Sequence, residues 1–481
     1  MPFVPTPKTV ASLLAGVPEA HLVHGSPSSI VNGLTQDTRQ LQPGNLFVAI
    51  AGLERNGLDF LPQALQQGAA AVVAGSRAAL ADLAAAFYGY PTRRVPVVGI
   101  TGTDGKTSTT HLLSAVLEAH GLRLGWLTTV NTKIGDELRP NVVDHTTPEA
   151  PVVQHTLAEM VAAGLDVAIL ETSSHALELD RVRGVDYRVG VFTNLSPEHI
   201  NFHGTFEAYR AAKLRLFSRL PPDGLAVLNA DDANVSFFRA ATSSWVLTYG
   251  LDAAADIRAS AVSLSPGGTA FDLDGRTIRT RLVGRFNVSN WLAAFGAATY
   301  FGATVDDLRQ AAATTEPVPG RMNLVDRGQP FAVVVDFAHT PQALEKALDT
   351  VRGLGARRVF LVFGLAGGRD AANRPVMGAL AARKADHFFI STDDPGQEDA
   401  AAIAAQIAAG AHPYDNFTVE LDRRAAIRLA LRHAQAGDAV LLAGKGHEQR
   451  MVVGNERLPW NDARAASEVL GELGYTIQAV P

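Results

Sequence analysis

The chain has 481 residues, a length that predicts about three domains, and it contains no cysteine. The lack of cysteine excludes disulfides, thiolate metal sites, iron–sulfur clusters and a cysteine nucleophile. A hydrophobic content of 47%, a charged content of 19% and a net charge of -6 fit a globular protein that does not bind nucleic acid through a basic surface. We expect a cytoplasmic protein without membrane insertion, because the chain shows neither a signal peptide nor a long apolar run.

The first part of the chain combines short strands with turns. A turn leading into a buried strand is predicted at 44–50, helical spacing at 60–67 and a second strand at 68–74. Residues 90–94, which read Tyr-Pro-Thr-Arg-Arg, interrupt this pattern. The first domain is therefore expected to span residues 1–94.

Strands and helices alternate over the rest of the chain. In the segment 95–317, buried strands are predicted at 97–100, 167–170, 189–192 and 225–228, and a helix from about Thr107. A second alternating set follows a Pro-Val-Pro-Gly linker at 317–320, with strands at 332–335, 359–363, 388–390 and 439–442 and a helix at 400–409. Apolar runs without alternation indicate mainly parallel sheets covered on both faces, so the fold class is α/β with three domains, 1–94, 95–317 and 318–481.

A glycine-rich turn after the strand at 97–100 is typical of a phosphate-binding loop. Its backbone amides and the following helix N-terminus favour an anion, Lys106 would reach the terminal phosphates of ATP, and the Thr107 hydroxyl would bind Mg²⁺. The usual spacing requires glycine at position 100, where this chain has Ile100. An incidental glycine turn is the alternative. The predicted ATP-binding residues of this loop are Gly102, Thr103, Asp104, Gly105, Lys106, Thr107 and Ser108.

Two further side chains follow buried strands and are candidate magnesium ligands. Glu171 ends the strand at 167–170, and His199 follows the strand at 189–192. Ligands bind at the carboxyl edge of parallel sheets, which is where both residues are expected. A strand-end acid that caps a turn and a structural histidine are the alternatives.

Together, the motifs resemble those of the Mur ligases, the ATP-dependent amide-bond-forming enzymes of peptidoglycan precursor synthesis. The resemblance rests on Thr101-Gly-Thr-Asp-Gly-Lys-Thr107, Thr146-Thr-Pro-Glu149, Glu171-Thr-Ser-Ser-His175 and Thr193-Asn-Leu195 with His203-Gly204. It is closest to the members that add the third residue to UDP-N-acetylmuramoyl-L-alanyl-D-glutamate. It implies an N-terminal UDP-binding α/β domain, a central P-loop ATPase-like domain and a C-terminal Rossmann-like domain.

The resemblance also implies two Mg²⁺ ions and a modified lysine. One ion would lie between Thr107, Glu171 and the ATP phosphates, and the second would be held by Glu171, His199 and a carbamylated Lys213. Carbamylation turns a cationic amine into an anionic oxygen ligand, the hard donor that Mg²⁺ prefers. The catalytic residues would thus be Lys106, Glu171, His199 and Lys213. On its own, the sequence around Lys213 predicts an exposed helix lysine.

Further residues are assigned to ligands by their place in matching motifs. Those on the ATP side are Asn287, Asn290, Arg321, Asp336 and His339. Those for the UDP-muramoyl-peptide are Thr38, Thr146, Thr147, Ser173 and Arg181, and Leu179 stands where some members have glutamine. Those for the incoming amino acid are Arg369, Asp393, Asp394, Gly396, Gly444 and Glu448, with departures at Leu365-Ala366 and Asn373. Glu448 would accept the distal ammonium group and Arg369 would bind a carboxylate.

The segment Asp393-Asp394-Pro395-Gly396 bears on which amino acid is added. Members that add meso-diaminopimelate usually have Asp-Asn-Pro-Arg, in which the arginine pairs with the second carboxylate. Without that arginine, the carboxylate would be desolvated unpaired, a cost of ~10²-fold or more, and Asp394 would repel it. The sequence therefore favours L-lysine or L-ornithine. Diaminopimelate is the alternative if a neighbouring arginine such as Arg450 substitutes.

The implied reaction proceeds through an acyl phosphate formed on the D-glutamate γ-carboxylate, which the incoming amine attacks. The base that takes up the amine proton is not assigned. Alternatives are a related ligase with another acceptor, such as a folate polyglutamate or cyanophycin synthetase, and a P-loop switch or binding module. The partners are small-molecule substrates only, and a monomer is expected.

Overall fold

The computed structural model describes residues 3–52, 55–141, 145–265, 267–317, 320–369 and 371–475. The chain divides into two compact units: unit 1 comprises residues 1–195, 210–258 and 292–308, and unit 2 comprises residues 196–209, 259–291 and 309–481. Residues 318 and 319 of the predicted linker lie outside the described residues. The domain boundaries at 94/95 and 317/318 therefore stay predictions.

Unit 1 begins with a small α/β layer. Its strands are β1 (Lys8–Thr9), β2 (His21–His24), β3 (Ile30–Val31), β4 (Leu34–Thr35), β5 (Leu46–Ile50) and β6 (Ala71–Gly75), and its helices are α1 (Val10–Leu14), α2 (Leu61–Gln66) and α3 (Arg77–Phe87). Short 3₁₀ helices lie at Thr38–Gln40, Gly57–Phe60 and Pro91–Arg93. Strands β2, β6, β5 and β4 form a sheet in that order, and β1 pairs with β3. Strand β5 is buried throughout because Leu46 and Val48 pack with α1 and α3, whereas Phe47 and Ala49 pack with α2.

The centre of unit 1 is a nine-stranded sheet. Its strands are β7 (Val97–Thr101), β8 (Leu124–Leu127), β9 (Asn131–Ile134), β10 (Glu137–Pro140), β11 (Val167–Glu171), β12 (Tyr187–Phe192), β13 (Leu225–Asn229), β14 (Trp245–Gly250) and β15 (Ile257–Arg258). The helices between residues 106 and 241 are α4 (Lys106–Ala119), α5 (Ala150–Ala162), α6 (Ser174–Glu178), α7 (Ile200–His203), α8 (Phe206–Ser218) and α9 (Val235–Ala241). Of these, α7 and residues 206–209 of α8 belong to unit 2. The strand order is β10-β9-β8-β11-β7-β12-β13-β14-β15, and all neighbours except those of β9 are parallel. Strand β7 thus lies between β11 and β12.

Unit 2 contains a small antiparallel sheet and a six-stranded sheet. The small sheet is formed by β16 (Ser260–Ser265), β17 (Gly268–Leu273) and β18 (Arg276–Thr280). The later strands are β19 (Asn323–Leu324), β20 (Ala332–Asp336), β21 (Val359–Phe363), β22 (His387–Ile390), β23 (Phe417–Val419), β24 (Ala439–Ala443), β25 (Arg450–Val453) and β26 (Glu456–Pro459). The helices from residue 285 onward are α10 (Arg285–Thr299), α11 (Val305–Thr314), α12 (Pro341–Gly353), α13 (Asn373–Lys384), α14 (Ala400–Ala411), α15 (Arg423–His433) and α16 (Asp462–Glu472).

The six-stranded sheet has the order β19-β20-β24-β21-β22-β23 and is parallel except at β19. It is covered on both faces: in β20, Val333 and Val335 pack into one apolar cluster and Val334 packs into another. This double burial is the reason that its strands show no alternation of polar and apolar residues.

The structure confirms the α/β class, the mainly parallel sheets and every strand predicted from an apolar run. The antiparallel sheet β16–β18 was not predicted, because its strands mix exposed and buried positions in short segments. Among the described residues, no helix is long and apolar enough to cross a membrane.

Candidate active site

The predicted phosphate loop lies at the carboxyl edge of the nine-stranded sheet in unit 1. It connects β7 to α4. The neighbouring strand β11 ends at Glu171, and on the other side β12 ends directly before Thr193 and Asn194. Three adjacent parallel strands therefore bring these groups to one edge, which is where open α/β sheets bind ligands.

Two glycines give the loop its conformation. Gly102 has a φ of +151°, and a Cβ at this position would lie 1.9 Å from the Thr193 hydroxyl oxygen. Gly105 has a φ of +85° and is the N-cap of α4. The Lys106 ammonium group donates to the carbonyl oxygens of Gly102, at 3.1 Å, and Thr103, at 2.7 Å. The lysine is thereby held over the loop whose amides would bind the phosphates.

Thr193 and Asn194, which follow β12, bind the phosphate loop through hydrogen bonds. The Asn194 side chain accepts from the Asp104 amide at 3.0 Å and donates to the Asp104 carbonyl at 3.0 Å. The Asn194 carbonyl accepts from the Thr103 amide at 2.8 Å, and the Thr193 hydroxyl donates to the Asp104 carbonyl at 2.7 Å. The motif containing Thr193 and Asn194 was noted in the sequence, but neither residue was predicted to shape the site.

Glu171 is completely buried and held by three donors. One carboxylate oxygen accepts from the Thr107 hydroxyl, and the other accepts from the backbone amide and, at 2.7 Å, the hydroxyl of Thr129. A buried carboxylate beside a threonine hydroxyl is an oxygen donor set that fits Mg²⁺. Thr107 and Glu171 are thus brought together as predicted, and Thr129 is a contact that the sequence did not indicate.

Lys213 is buried, which contradicts the exposed lysine that its sequence context predicts on its own. Its side chain is 2% exposed and its ammonium group donates to the Gly102 carbonyl at 2.7 Å. Helix α8 therefore delivers a lysine to the phosphate loop. This placement fits the role that the family resemblance implies, and the carbamate itself remains a prediction.

His199, the fourth residue of the predicted metal set, belongs to unit 2. It has a φ of +56°, a strained conformation for a non-glycine residue, at the N-cap of α7. Its Nε2 lies 3.6 Å from a Glu198 carboxylate oxygen, which also lies 3.2 Å from Nε2 of His339. Burial opposes a charge on His339, but the hydrogen bond and the charge of Glu198 outweigh it and raise the pKa of His339.

A cavity of about 640 Å³ in unit 1 contains Thr38, the residue predicted to lie near the uridine diphosphate. Asp37 caps the 3₁₀ helix at 38–40, and its carboxylate binds the Arg39 guanidinium in a two-pronged ion pair that lowers the pKa of Asp37. The opposite wall includes His145, Pro148 and Glu149. The predicted Thr146 lies in this same segment and is half-buried.

Behind that wall, the predicted muramoyl-peptide residues form one hydrogen-bonded group. The Thr147 hydroxyl donates to the Glu171 carbonyl at 2.7 Å and accepts from the Ser173 amide at 3.2 Å. Arg181 donates to the Thr147 carbonyl at 3.1 Å and forms an ion pair with Glu149 at 2.8 Å. Burial lowers the pKa of Arg181.

Glu149 also binds Arg77 of α3, at 3.3 Å, so that its carboxylate is shared by two arginines. Glu149 is the N-cap of α5 but makes no side-chain capping hydrogen bond. Its carboxylate is used for the two arginines instead. The sequence contained Glu149 in a quoted motif, but nothing in the pattern indicated Arg77.

The remaining predicted ATP residues lie in unit 2. Asn287 and Asn290 are buried at the start of α10, where the Asn290 amide donates to the Asn287 side-chain oxygen at 3.3 Å. The Arg321 guanidinium lies 4.6 Å above the Phe337 ring, and Asp336 accepts from the Met322 amide at 2.7 Å.

A second cavity, of about 80 Å³, lies in unit 2 at the carboxyl ends of β20, β21, β22 and β24. Seven of the predicted residues line it, among them His339, Arg369, Asp393, Asp394 and Glu448. The predicted Gly444 and His199 line it as well, and so does the buried Arg374, which was not predicted. Arg374 is paired with Glu398 at 2.9 Å.

Three carboxylates of this cavity, those of Asp393, Asp394 and Glu448, lie around Lys445, which was not predicted. Lys445 is completely buried, and its ammonium group lies 2.7 Å from Asp394, 3.6 Å from Asp393 and in contact with Glu448. Burial raises the pKa of Glu448 to about 7, which Lys445 partly offsets. Lys445 therefore offsets part of the negative charge around Asp394, which weakens the argument that Asp394 alone repels a second substrate carboxylate.

Gly396 has a φ of +56° and lies beside the β25 strand, where its amide donates to the Val452 carbonyl at 3.1 Å. Neither Gly396 nor Arg450 is among the described residues that line the cavity, which include Arg369 and Arg374 as its arginines. The position of Arg450 therefore does not support the idea that it pairs with the second carboxylate of diaminopimelate in place of the missing arginine.

Three segments match domains of one protein family. Residues 30–101 match the Mur ligase family catalytic domain, residues 100–298 the Mur ligase middle domain, and residues 320–446 the Mur ligase glutamate ligase domain. These matches cover the phosphate loop, Glu171, Lys213 and most of the second cavity.

Individual relatives are similar over nearly the whole chain. The UDP-N-acetylmuramoyl-L-alanyl-D-glutamate--2,6-diaminopimelate ligase of Geobacillus thermodenitrificans is 41% identical, over 96% of this chain and 99% of the relative. The UDP-N-acetylmuramyl-tripeptide synthetase of Deinococcus radiodurans is 43% identical, over 92% and 95%. A solved structure of a UDP-N-acetylmuramoyl-L-alanyl-D-glutamate--2,6-diaminopimelate ligase superposes with a TM-score of 0.65. It is 29% identical, over 95% of this chain and 98% of that chain.

Proposed function

The chain belongs to the Mur ligase family of ATP-dependent, amide-bond-forming enzymes, and on that premise we propose that it adds the third peptide residue to UDP-N-acetylmuramoyl-L-alanyl-D-glutamate. The observation that carries this proposal is the 41% identity, over 96% of the chain, to a relative named for this reaction. The cavity containing Thr38 and the linked group Thr147, Ser173 and Arg181 support it as the UDP-muramoyl-dipeptide site.

The incoming amino acid that the relatives support best is 2,6-diaminopimelate, because the Geobacillus relative is named for it. The prediction of L-lysine or L-ornithine has weaker support. Its argument from Asp394 is weaker than expected, because Lys445 lies 2.7 Å away and offsets part of that charge. Lysine or ornithine remains the second candidate because Gly396 still offers no side chain for a second carboxylate.

The mechanism follows from the residues of the two units. Lys106 and the amides of the phosphate loop hold the ATP phosphates, and a γ-carboxylate oxygen of D-glutamate attacks the γ-phosphorus as the bond to ADP breaks. The incoming amine then attacks the carbonyl carbon of the acyl phosphate, the amide C–N bond forms, and the C–O bond to phosphate breaks. By the family resemblance, Arg321 would meet the γ-phosphate, and Arg369 and Glu448 would orient the amino acid.

Glu171, Thr107, His199 and a carbamylated Lys213 would hold Mg²⁺. The buried Glu171 carboxylate beside the Thr107 hydroxyl supports this assignment, since both offer hard oxygen donors. The metal would neutralise charge on the transferring phosphoryl group. Within the chain itself, Thr129 fixes the second oxygen of Glu171 and so orients the carboxylate toward the loop.

Release of ADP in the presence of ATP, Mg²⁺, UDP-muramoyl-dipeptide and one amino acid tests the proposal. Each component is omitted in turn, and diaminopimelate, lysine and ornithine are compared by kcat/KM. We expect strict dependence on all four components and the highest kcat/KM for diaminopimelate. K106M and E171Q should abolish ADP release. ATP turnover that ignores UDP-muramoyl-dipeptide would instead favour a P-loop switch.

A further inference from the structure

The three carboxylates in the cavity of unit 2 could not stay ionised together without a cation. Oxygen atoms of Asp393, Asp394 and Glu448 all lie within 4.8 Å of one another. Burial raises the pKa of Asp393 and the charges of Asp394 and Asp462 add to this rise, whereas Lys445 and Arg423 oppose it. A group that stabilises the ionised state is therefore required.

Lys445 is the cation that contacts the acids directly, and the buried Arg423 adds a second positive charge near Asp393. The Lys445 side chain is completely buried, whereas the Asp394 and Glu448 side chains are 23% and 32% exposed. Lys445 does not line the cavity, but the three acids do. Its ammonium group therefore supports the carboxylates from behind and leaves their other oxygen atoms free to face a ligand.

The Asp394 carboxylate is held in one orientation by two hydrogen bonds. One oxygen of Asp394 accepts from Lys445 at 2.7 Å and from the Val452 amide at 2.8 Å. The Glu448 amide donates to the Lys445 carbonyl at 2.9 Å, so the backbone turn and the side-chain contact both tie Glu448 to Lys445. Three acids and one lysine leave a formal charge of -2, which suits a cationic ligand.

We propose that Lys445 is a positioning residue, whose buried ammonium group holds Asp394 and Glu448 as acceptors for the distal ammonium group of the incoming amino acid. This inference rests on the proposed function. It holds for diaminopimelate, lysine and ornithine alike, because all three carry that ammonium group. It assigns Lys445 no contact with the substrate.

The test compares K445M with K384M in the full-length enzyme. Lys384 is a matched control because it also binds two carboxylates, Asp349 at 2.8 Å and Glu345 at 2.9 Å, at the end of α13 and outside the cavity. We expect K445M to raise the KM for the amino acid at least ~10-fold, with a smaller fall in kcat and no change in the KM for ATP. K384M should match the wild type.

A second variant keeps the test valid if K445M does not fold. K445Q retains a hydrogen-bond donor without the charge and should show the same selective rise in KM. A folded K445M or K445Q whose amino-acid KM equals that of the wild type would overturn the inference. If the wild-type enzyme itself uses none of the three amino acids, the proposed function fails instead, and the two failures are thereby distinguished.

Discussion

Glu149 is the residue whose loss should weaken binding of the UDP-muramoyl-dipeptide without touching the ATP site. It lines the cavity in unit 1 and binds Arg181 at 2.8 Å and Arg77 at 3.3 Å. Arg181 in turn donates to the Thr147 carbonyl. The variant E149Q keeps the shape of the side chain and removes the charge that both arginines share.

The size of the effect follows from burial. Breaking a fully buried ion pair costs about 3–5 kcal/mol, and an exposed pair contributes at most about 1 kcal/mol. The Arg181 side chain is 9% exposed and that of Glu149 is 22% exposed, so the pair lies between these limits. We expect E149Q to lose about 1–3 kcal/mol of the free energy that holds Arg181 in place. Substrate binding must then supply this free energy, so at about 1.4 kcal/mol per factor of ten the KM should rise roughly 5- to 150-fold.

Steady-state kinetics with UDP-muramoyl-dipeptide as the varied substrate would measure this rise. The matched control is E159Q, because Glu159 lies on the same helix α5 and pairs with Arg139 at 3.0 Å without lining the cavity. An E149Q enzyme with an unchanged KM for the UDP substrate would refute the reasoning. An equal rise in E159Q would show that the effect comes from the helix and not from the cavity.

Three further predictions concern the loop, the acids and the core. G102A should abolish ADP release, because its Cβ would lie 1.9 Å from the Thr193 hydroxyl, and tight binding of ATP to the variant would contradict this. Because the pKa of Glu448 is about 7, its carboxylate loses charge below that pH. The KM for the amino acid should therefore rise as the pH falls from about 8 to about 6. In E448Q the KM should depend less on pH. D462N should lower the free energy of unfolding, measured in urea, by about 3–5 kcal/mol because it leaves the buried Arg423 unpaired.

Part of the site was predictable because its reactive side chains lie directly after buried strands. Glu171 directly follows an apolar run, and parallel strands deliver their carboxyl ends to one edge of the sheet. The same logic located the phosphate loop, whereas Asp336 and Asp393 were assigned through the family resemblance. Periodicity could not find β16–β18, because short antiparallel strands with mixed burial lack a distinctive pattern.

The burial of isolated lysines was beyond any sequence pattern. Lys213 lies on a helix of ordinary polarity, and only the packing of α8 against the phosphate loop buries it beside Gly102. Lys445 was not predicted, although Gly444 and Glu448 beside it were, because a lysine flanked by glycines carries no sign of its partners. Its three acids come from segments that follow β22 and β24, some 50 residues apart.

The amino-acid sequence by itself determined the α/β class, the order of the strands along the chain and the residue types that can meet ATP, because these depend on local periodicity and on strand ends. Tertiary structure alone decided which charges are compensated. Asp394 is predicted from the sequence to be a repulsive carboxylate but lies 2.7 Å from the buried Lys445, and Glu149 has no role assigned from the sequence but binds two arginines. Electrostatic energies depend on distances and burial across the fold, and those distances exist only once the strands are assembled.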